Sequence, residues 1–260
     1  MLPATSPPVR PPGSPRGPRA APPSRGGWPH PDRLPLTIVL VLALDTATPA
    51  VTAGVVELTP DGPRLLAQRV TVNAKAHGEL LTPHLQAAVA ESGHALADLD
   101  AVVVGSGPGP FTGLRVGLAT AAALGQALNR PVYPVPTPDA VALDARTGAP
   151  LLVATDARRK EVYWAAYDAA GRRTDGPHVD RPADVLAKLP PVASAAGEGA
   201  RLYADVLGLP VVDATYPSPV SLVAAAADEL LSGARPAALT PLYLRRPDAV
   251  EPAARKRVTR

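Results

Sequence analysis

The stretch VVVGSGPGPFTGLRVGLATAAALGQAL, residues 102–128, decides how this chain folds. It opens with an apolar run typical of a buried strand, passes through glycines at 105, 107, 109 and 113, and ends in an alanine-rich run of helical character. A second apolar run at 132–135 completes a pattern of strand, helix and parallel strand. A glycine-rich turn between a strand and a helix is also a place where backbone N–H groups can bind an anion.

The glycines match neither of the two common phosphate-binding patterns. A P-loop needs a Lys directly after its last glycine, and this chain has no Lys between residues 76 and 159. The dinucleotide pattern G-x-G-x-x-G would need a glycine where Thr112 stands. Two interpretations stay open: the glycines allow tight turns and close packing of the helix, or they face a ligand, with Arg115 as the nearby cation.

The segments around this stretch predict an α/β fold with two lobes. Apolar runs at 38–44, 51–57 and 65–72 predict three antiparallel strands, and HGELLTPHLQAAVAESG predicts a helix that ends at Gly93. A second strand–turn–strand pattern follows in LLVATDARRKEVYWAAYD. We divide the chain into five parts: a Pro/Arg-rich extension (1–36), a first lobe (37–148), a second lobe (149–217), a helix that packs back on the lobes (218–235), and a short strand with a basic tail (236–260).

Composition limits the function classes. The chain has no Cys, which excludes disulfides and thiolate metal sites, and aromatic residues make up only 3%. The net charge of +3 arises in the termini: residues 37–244 hold 15 basic and 20 acidic residues, a net charge of −5. An acidic core argues against a broad nucleic-acid-binding surface.

The N-terminal extension reads as disordered, because it holds 12 of the 34 prolines and no apolar periodicity. The apolar run that follows is too short to span a membrane, and a signal peptide is disfavoured because cleavage would remove a core strand. Val39 or Val41 could instead be an alternative start, which would make the extension an annotation artefact.

Several polar side chains are candidate site residues. Asp45 ends an apolar run, with Thr46 and Thr48 in the following turn, where the carboxylate could hold hydrated magnesium or cap the turn. His77 and His84 lie seven residues apart on the predicted helix, which without a third ligand is weak evidence for a metal. We therefore predict no metal site. Ser106 is not predicted to be a catalytic nucleophile, because GSGPG does not match the G-x-S-x-G pattern of a nucleophile elbow.

Four motifs together resemble one family: LALDTAT at 42–48, GSGPGPFTGLRVG at 105–117, ATDARRKEVYWAAY at 154–167 and PLYLRR at 241–246. They occur in the order and spacing of the TsaB (YeaZ) family of tRNA threonylcarbamoyladenosine biosynthesis. The resemblance implies an actin-like ATPase fold with two ribonuclease-H-like lobes of mixed sheets, the second reduced. It also implies a non-catalytic subunit that pairs with TsaD and the ATPase TsaE, contacts tRNA through the complex, and leaves ATP and magnesium to that complex.

The catalytic relative in this resemblance, TsaD, carries a metal-binding histidine pair after the strand that follows the glycine-loop helix. The corresponding positions here hold Thr137 and Val141, neither of which can ligate a transition metal. The resemblance also implies a partner interface formed by two helices, 79–92 and 113–128. The candidate interface residues are Leu81, Leu85, Arg115, Leu118, Ala119, Ala122 and Leu124.

A second function class stays open. A small-molecule kinase or ATPase of the same superfold would bind phosphate through two loops; their residues are Asp45, Thr46, Thr48, Gly107, Gly109, Thr112 and Gly113. The missing Lys disfavours it, and the missing H-E-x-x-H disfavours a metallopeptidase. We expect a cytoplasmic protein without membrane contact that could form a homodimer when alone.

Overall fold

The computed structural model describes residues 38–245, and its first sheet has five strands. Three consecutive strands, β1 (Val39–Asp45), β2 (Ala50–Thr59) and β3 (Gly62–Val72), pair antiparallel. Two more, β4 (Ala101–Gly105) and β5 (Val132–Val135), extend the sheet in parallel from β1, in the order β3-β2-β1-β4-β5. Strands β1 and β4 are buried along their whole length, and apart from Asp45 and Gly105 at their ends they consist of apolar residues, as strands covered on both faces do.

Helices cover both faces of this sheet. The leucines of β1 at 40, 42 and 44 pack against α1 (His77–Ser92) and α2 (Phe111–Leu128). The alternate residues at 39, 41 and 43 pack against α7 (Pro219–Ala225) and α8 (Ala227–Ser232). Because side chains alternate along a strand, one apolar run builds both cores.

The second sheet has four strands in the order β8-β7-β6-β9. Strands β6 (Leu151–Asp156), β7 (Val162–Tyr167) and β8 (Arg173–Asp180) are antiparallel, and β9 (Ser194–Ala196) is parallel to β6. Helix α3 (Thr137–Ala145) leads from the first sheet and packs on the second. Three short helices complete this part: α4 (Pro182–Val185), α5 (Glu198–Leu202) and α6 (Ala204–Leu207).

The predicted fold class, α/β with two mixed sheets, is confirmed, but two local predictions at the C-terminal end are wrong. The helix predicted at 218–235 is two short helices, since Ala226 has φ −103° and ψ 7°, outside the helical region. Residues 236–245 form no strand: one backbone bond, from Leu242 N–H to the Ser106 carbonyl, joins them to the end of β4, which is too little for a ladder. The extension at 1–36 and the tail from 246 onward lie outside the described residues.

Among residues 38–245, no helix combines the length and apolar character that crossing a bilayer requires.

Candidate functional site

Asp45 is the last residue of β1 and is fully buried. One carboxylate oxygen, Oδ1, accepts the Ala47 N–H at 2.8 Å, and the other, Oδ2, accepts the Thr137 hydroxyl at 2.6 Å. The first bond closes a turn over the following residues, as Asp side chains commonly do. Both oxygens of Asp45 therefore stabilise the local structure.

Burial raises the pKa of Asp45 to about 6. The hydrogen bonds from Thr137, Ala47 and Thr48 act in the opposite direction and favour the charged form. The carboxylate is thus charged at neutral pH because these donors surround it, and not because it is exposed to water.

The glycine stretch packs directly against the turn at 45–48. A Cβ atom added at Gly109 would lie 2.1 Å from the Ala47 carbonyl oxygen, and one added at Gly113 would lie 2.3 Å from the Thr46 carbonyl oxygen. The Thr46 hydroxyl also donates to the Gly113 carbonyl at 2.7 Å. At these points the two backbones leave no room for a methyl group, so close packing of the two loops requires glycine.

The remaining predicted loop residues lie close by. Gly107 has φ +93° and exchanges two bonds with Thr137, its carbonyl accepting the Thr137 N–H at 2.8 Å and its N–H donating to the Thr137 Oγ1 at 3.3 Å. The Thr48 carbonyl accepts a bond from His77 Nε2 at 2.8 Å. Thr112 is exposed in the first turn of α2. The structure brings the two loops together, and their predicted role in phosphate binding stays a prediction.

Thr137 and Val141, the positions that the resemblance matches with the metal-binding histidines of TsaD, are both buried in α3. The hydroxyl of Thr137 lies between Asp45 and Gly107, and the side chain of Val141 packs against the second sheet. His84, the other histidine considered, lies 2.9 Å from the Thr71 hydroxyl. Within residues 38–245, no three His, Cys, Asp or Glu side chains cluster in a way that could hold a metal ion.

The predicted interface residues separate into two groups. Leu81, Leu85 and Leu118 are only 1%, 5% and 7% exposed and belong to the core under α1 and α2, which leaves little of their side chains for a partner; their place in an interface stays a prediction. The reason is helical geometry, because the leucines of both helices lie on the faces turned toward the sheet. Arg115, Ala119 and Ala122 are exposed on the outer face of α2, and Leu124 is half-buried.

A contact network that the sequence did not reveal joins the start of α2 to the C-terminal segment. The rings of Phe111 and Tyr243 stack with centroids 5.3 Å apart, and the Arg115 guanidinium lies 3.8 Å from the centre of the Phe111 ring. The guanidinium of Arg245 donates to the Ala157 carbonyl at 2.7 Å and pairs with Glu161. Only the partners of Arg245, 88 and 84 positions away in the chain, show its role.

A second acidic group with an altered pKa lies in the second lobe. Burial raises the pKa of Glu198, the first residue of α5, to about 7, although the Asp156 N–H donates to its carboxylate at 3.3 Å. Burial and the adjacent Glu198 raise the pKa of Tyr216 to about 12. No sequence motif singled out this pair.

Comparison with known proteins agrees with this architecture. Residues 65–242 match the family model of TsaD, tRNA N6-adenosine threonylcarbamoyltransferase. An uncharacterized protein of Mycobacterium tuberculosis is 53% identical over 217 residues, which cover 82% of this chain and 94% of that protein. The tRNA threonylcarbamoyladenosine biosynthesis protein TsaB of Escherichia coli is 38% identical over 136 residues, 49% of this chain and 54% of that protein.

Among solved structures, YeaZ from Pseudomonas aeruginosa superimposes with a TM-score of 0.66 at 29% sequence identity, covering 79% of this chain and 100% of that one. A second structure from the same organism, described as similar to peptidase YEAZ, has a TM-score of 0.65 at 30% identity and is also covered completely. The four sequence motifs, the two mixed sheets and these relatives agree, and the chain belongs to the TsaB (YeaZ) family of tRNA threonylcarbamoyladenosine biosynthesis proteins.

Proposed function

We propose that this chain is a non-catalytic subunit that pairs with a TsaD homologue, and works with TsaE, in the transfer of threonylcarbamoyl to the adenosine beside the tRNA anticodon. The observation that carries the proposal is the environment of Thr137. Its side chain and backbone are both bonded to the glycine loop, and its hydroxyl also donates to the buried carboxylate of Asp45. Because the side chain and backbone of Thr137 are used to hold the glycine loop and Asp45 together, they support a structural role for the first lobe.

The exposed face of α2 supports the pairing. Ala119, Ala122 and Ala123 are exposed there, and such short side chains allow another helix to approach closely. Arg115 lies at one end of this face and is held over Phe111, so its charge is already positioned for a partner. In this proposal the catalytic metal, ATP and most tRNA contacts belong to the other subunits, and the complex acts in the cytoplasm.

Co-purification with the TsaD homologue of the same organism tests the pairing. Ala122→Arg places a long charged side chain on the exposed face of α2 and should abolish co-purification. Ala183→Arg, the same change at an exposed position of α4, is the matched control and should have no effect. If both variants co-purify equally well, the face of α2 is not the contact.

Nucleoside analysis of tRNA tests the functional role. The TsaD and TsaE homologues should modify tRNA efficiently only when this chain is added. Equal modification without the chain would contradict the proposal, and turnover of ATP by the isolated chain would favour the kinase or ATPase alternative.

A further inference from the structure

The chain segment that follows α8 runs around one edge of the first sheet. The Tyr133 hydroxyl of the edge strand β5 donates to the Ala234 carbonyl at 2.9 Å, and Tyr133 belongs to the core on the α7 face. Leu239 packs against the core on the other face, under α1 and α2. The Leu242 N–H then donates to the Ser106 carbonyl, just after β4, at 2.9 Å. The segment is therefore attached to the first sheet over much of its length.

Residues 241–245, which we call the strap, make their next contact with the start of α2. The ring of Tyr243 stacks on that of Phe111, with centroids 5.3 Å apart. The Tyr243 hydroxyl accepts a hydrogen bond from the Nε–H of Arg115 at 3.3 Å. Stacked aromatic rings attract each other beyond the effect of their buried area. Tyr243 is thus the anchor of the strap on the first sheet and its helices.

Two residues later, Arg245 contacts the second sheet. Its guanidinium donates to the Ala157 carbonyl at 2.7 Å and pairs with the carboxylate of Glu161. Both side chains of the pair are largely shielded, at 23% and 30% exposed. The Ala157 N–H donates to the Glu161 carbonyl at 3.0 Å, so the β6–β7 turn is itself closed. Arg245 is therefore a second anchor, made of charge-assisted bonds to a closed turn.

The strap has no slack between its two anchors. Only Leu244 lies between Tyr243 and Arg245, and two residues of extended chain span at most about 7 Å. The anchors border a cleft of about 180 Å³ between the start of α2 and the β6–β7 turn. Any rotation of the second sheet that widens this cleft by several ångströms must break one of the anchors.

Helix α3 is a separate connection between the two sheets. At its start, Thr137 is bonded to the glycine loop of the first sheet. Asp139 accepts the Tyr167 hydroxyl of β7 at 2.8 Å, and Asp144 accepts the Ser218 N–H at the start of α7 at 2.8 Å. A hinge motion needs the two bodies to stay joined along one line and to be free elsewhere. The strap removes that freedom.

We propose that the strap fixes the angle between the two sheets, and that release of Arg245 allows the second sheet to rotate about α3. The two anchors lie within this chain, so the device operates without any partner. The inference goes beyond the pairing with TsaD and does not depend on it.

Distances between spin labels in the full chain test the proposal. The sequence contains no Cys, so two introduced cysteines carry the only labels. Ala90→Cys on α1 and Ala183→Cys on α4 are exposed positions on helices that belong to different sheets. Double electron–electron resonance should give one narrow distance distribution. In Arg245→Ala the fraction of molecules outside that peak should rise about tenfold, the factor expected when one charge-assisted hydrogen bond is lost.

A second variant tests whether the two anchors act as one device. Tyr243→Ala removes the anchor on the first sheet and should broaden the distribution as Arg245→Ala does. The double variant should be no broader than either single variant, because a strap released at one end restrains nothing. Additive broadening would show two independent local contacts and would overturn the proposal.

Arg201→Ala is the matched control. Its guanidinium donates to the side chains of Asp213 and Thr215, and none of these bonds involves the first sheet. Its distance distribution should equal that of the wild type. Thermal denaturation shows whether each variant is folded; if Tyr243→Ala does not fold, Arg245→Ala against the control decides the question.

Three results overturn the proposal: a broad distribution in the wild type, an unchanged distribution in Arg245→Ala, or equal broadening in Arg201→Ala and Arg245→Ala. The measurement uses this chain alone. Co-purification with the TsaD homologue is a separate experiment, so the two proposals fail separately.

Discussion

Replacing Gly109 by Ala distinguishes a packing role of the glycine loop from a phosphate-binding role. The new Cβ would meet three backbone atoms of Ala47, its carbonyl oxygen at 2.1 Å, its carbonyl carbon at 2.8 Å and its Cα at 2.9 Å. Backbone atoms cannot rotate away as a side chain can, so either the turn at 45–48 or the start of α2 must move. Overpacking of this kind typically costs 1–3 kcal/mol.

The free energy of unfolding, measured with urea and by thermal melting, checks this expectation. In a domain of this size each kcal/mol shifts Tm by about 2–4 °C, so Gly109→Ala should melt about 2–12 °C below the wild type. Gly78→Ala is the control, since a Cβ there has no heavy atom within 4 Å. It should leave Tm unchanged or raise it slightly, because Ala favours a helix more than Gly does. A Gly109→Ala protein as stable as the wild type would refute the packing role of Gly109 and favour a ligand-binding role for the loop.

Three further predictions concern buried or half-buried groups. The folded-state pKa of Asp45, about 6, lies above its ordinary value of 3.8, so the folded state binds the proton more tightly than the unfolded state does. The free energy of unfolding should therefore fall as pH rises from 4 to 6, by on the order of 3 kcal/mol. Urea titrations of Asp45→Asn should show a flatter dependence on pH, and an unchanged dependence would assign it to other groups. Leu118→Glu should lose cooperative thermal unfolding altogether, because it buries a charge in the core. The control Ala122→Arg, on the exposed face of α2, should melt like the wild type. Similar melting of both variants would contradict the burial of Leu118. Asp144→Ala should lower the free energy of unfolding in urea by about 2 kcal/mol, because the carboxylate accepts the N–H and hydroxyl of Ser218 at the start of α7. A decrease below about 0.5 kcal/mol would show that water replaces the carboxylate as the partner of Ser218.

The elements that the sequence predicted well are those with local signals. Helix α1 begins and ends where the periodicity and Gly93 place it, with Gly93 in the left-handed conformation at φ 78°. Helix α2 begins at Phe111, two residues before the predicted start, since Pro110 precedes it in extended conformation. These helices can be predicted from the sequence because apolar spacing and capping residues act within a few positions of one another.

Elements without a strong local signal were missed. Helix α3 is nine residues long and begins in TPDAV, a segment that the resemblance treated only as the replacement of a metal-binding motif. Strand β8 is largely polar and half-exposed, so it lacks the apolar alternation that marks β7. Both are stabilised by neighbours: Asp139 of α3 accepts the Tyr167 hydroxyl at 2.8 Å, and Asp180 of β8 accepts the Trp164 Nε1–H at 2.9 Å.

The sequence by itself determined the family, the α/β class and the strand–turn–helix unit around the glycines, because these depend on residues adjacent in the chain. Only the tertiary structure decided what those residues contact. The hydroxyl of Thr46 reaches the Gly113 carbonyl across 67 positions, and Arg245 reaches Glu161 across 84. The same applies to Leu118, whose burial depends on the sheet beneath α2. Contacts over such separations follow from how the sheets and helices pack, and no local pattern encodes them.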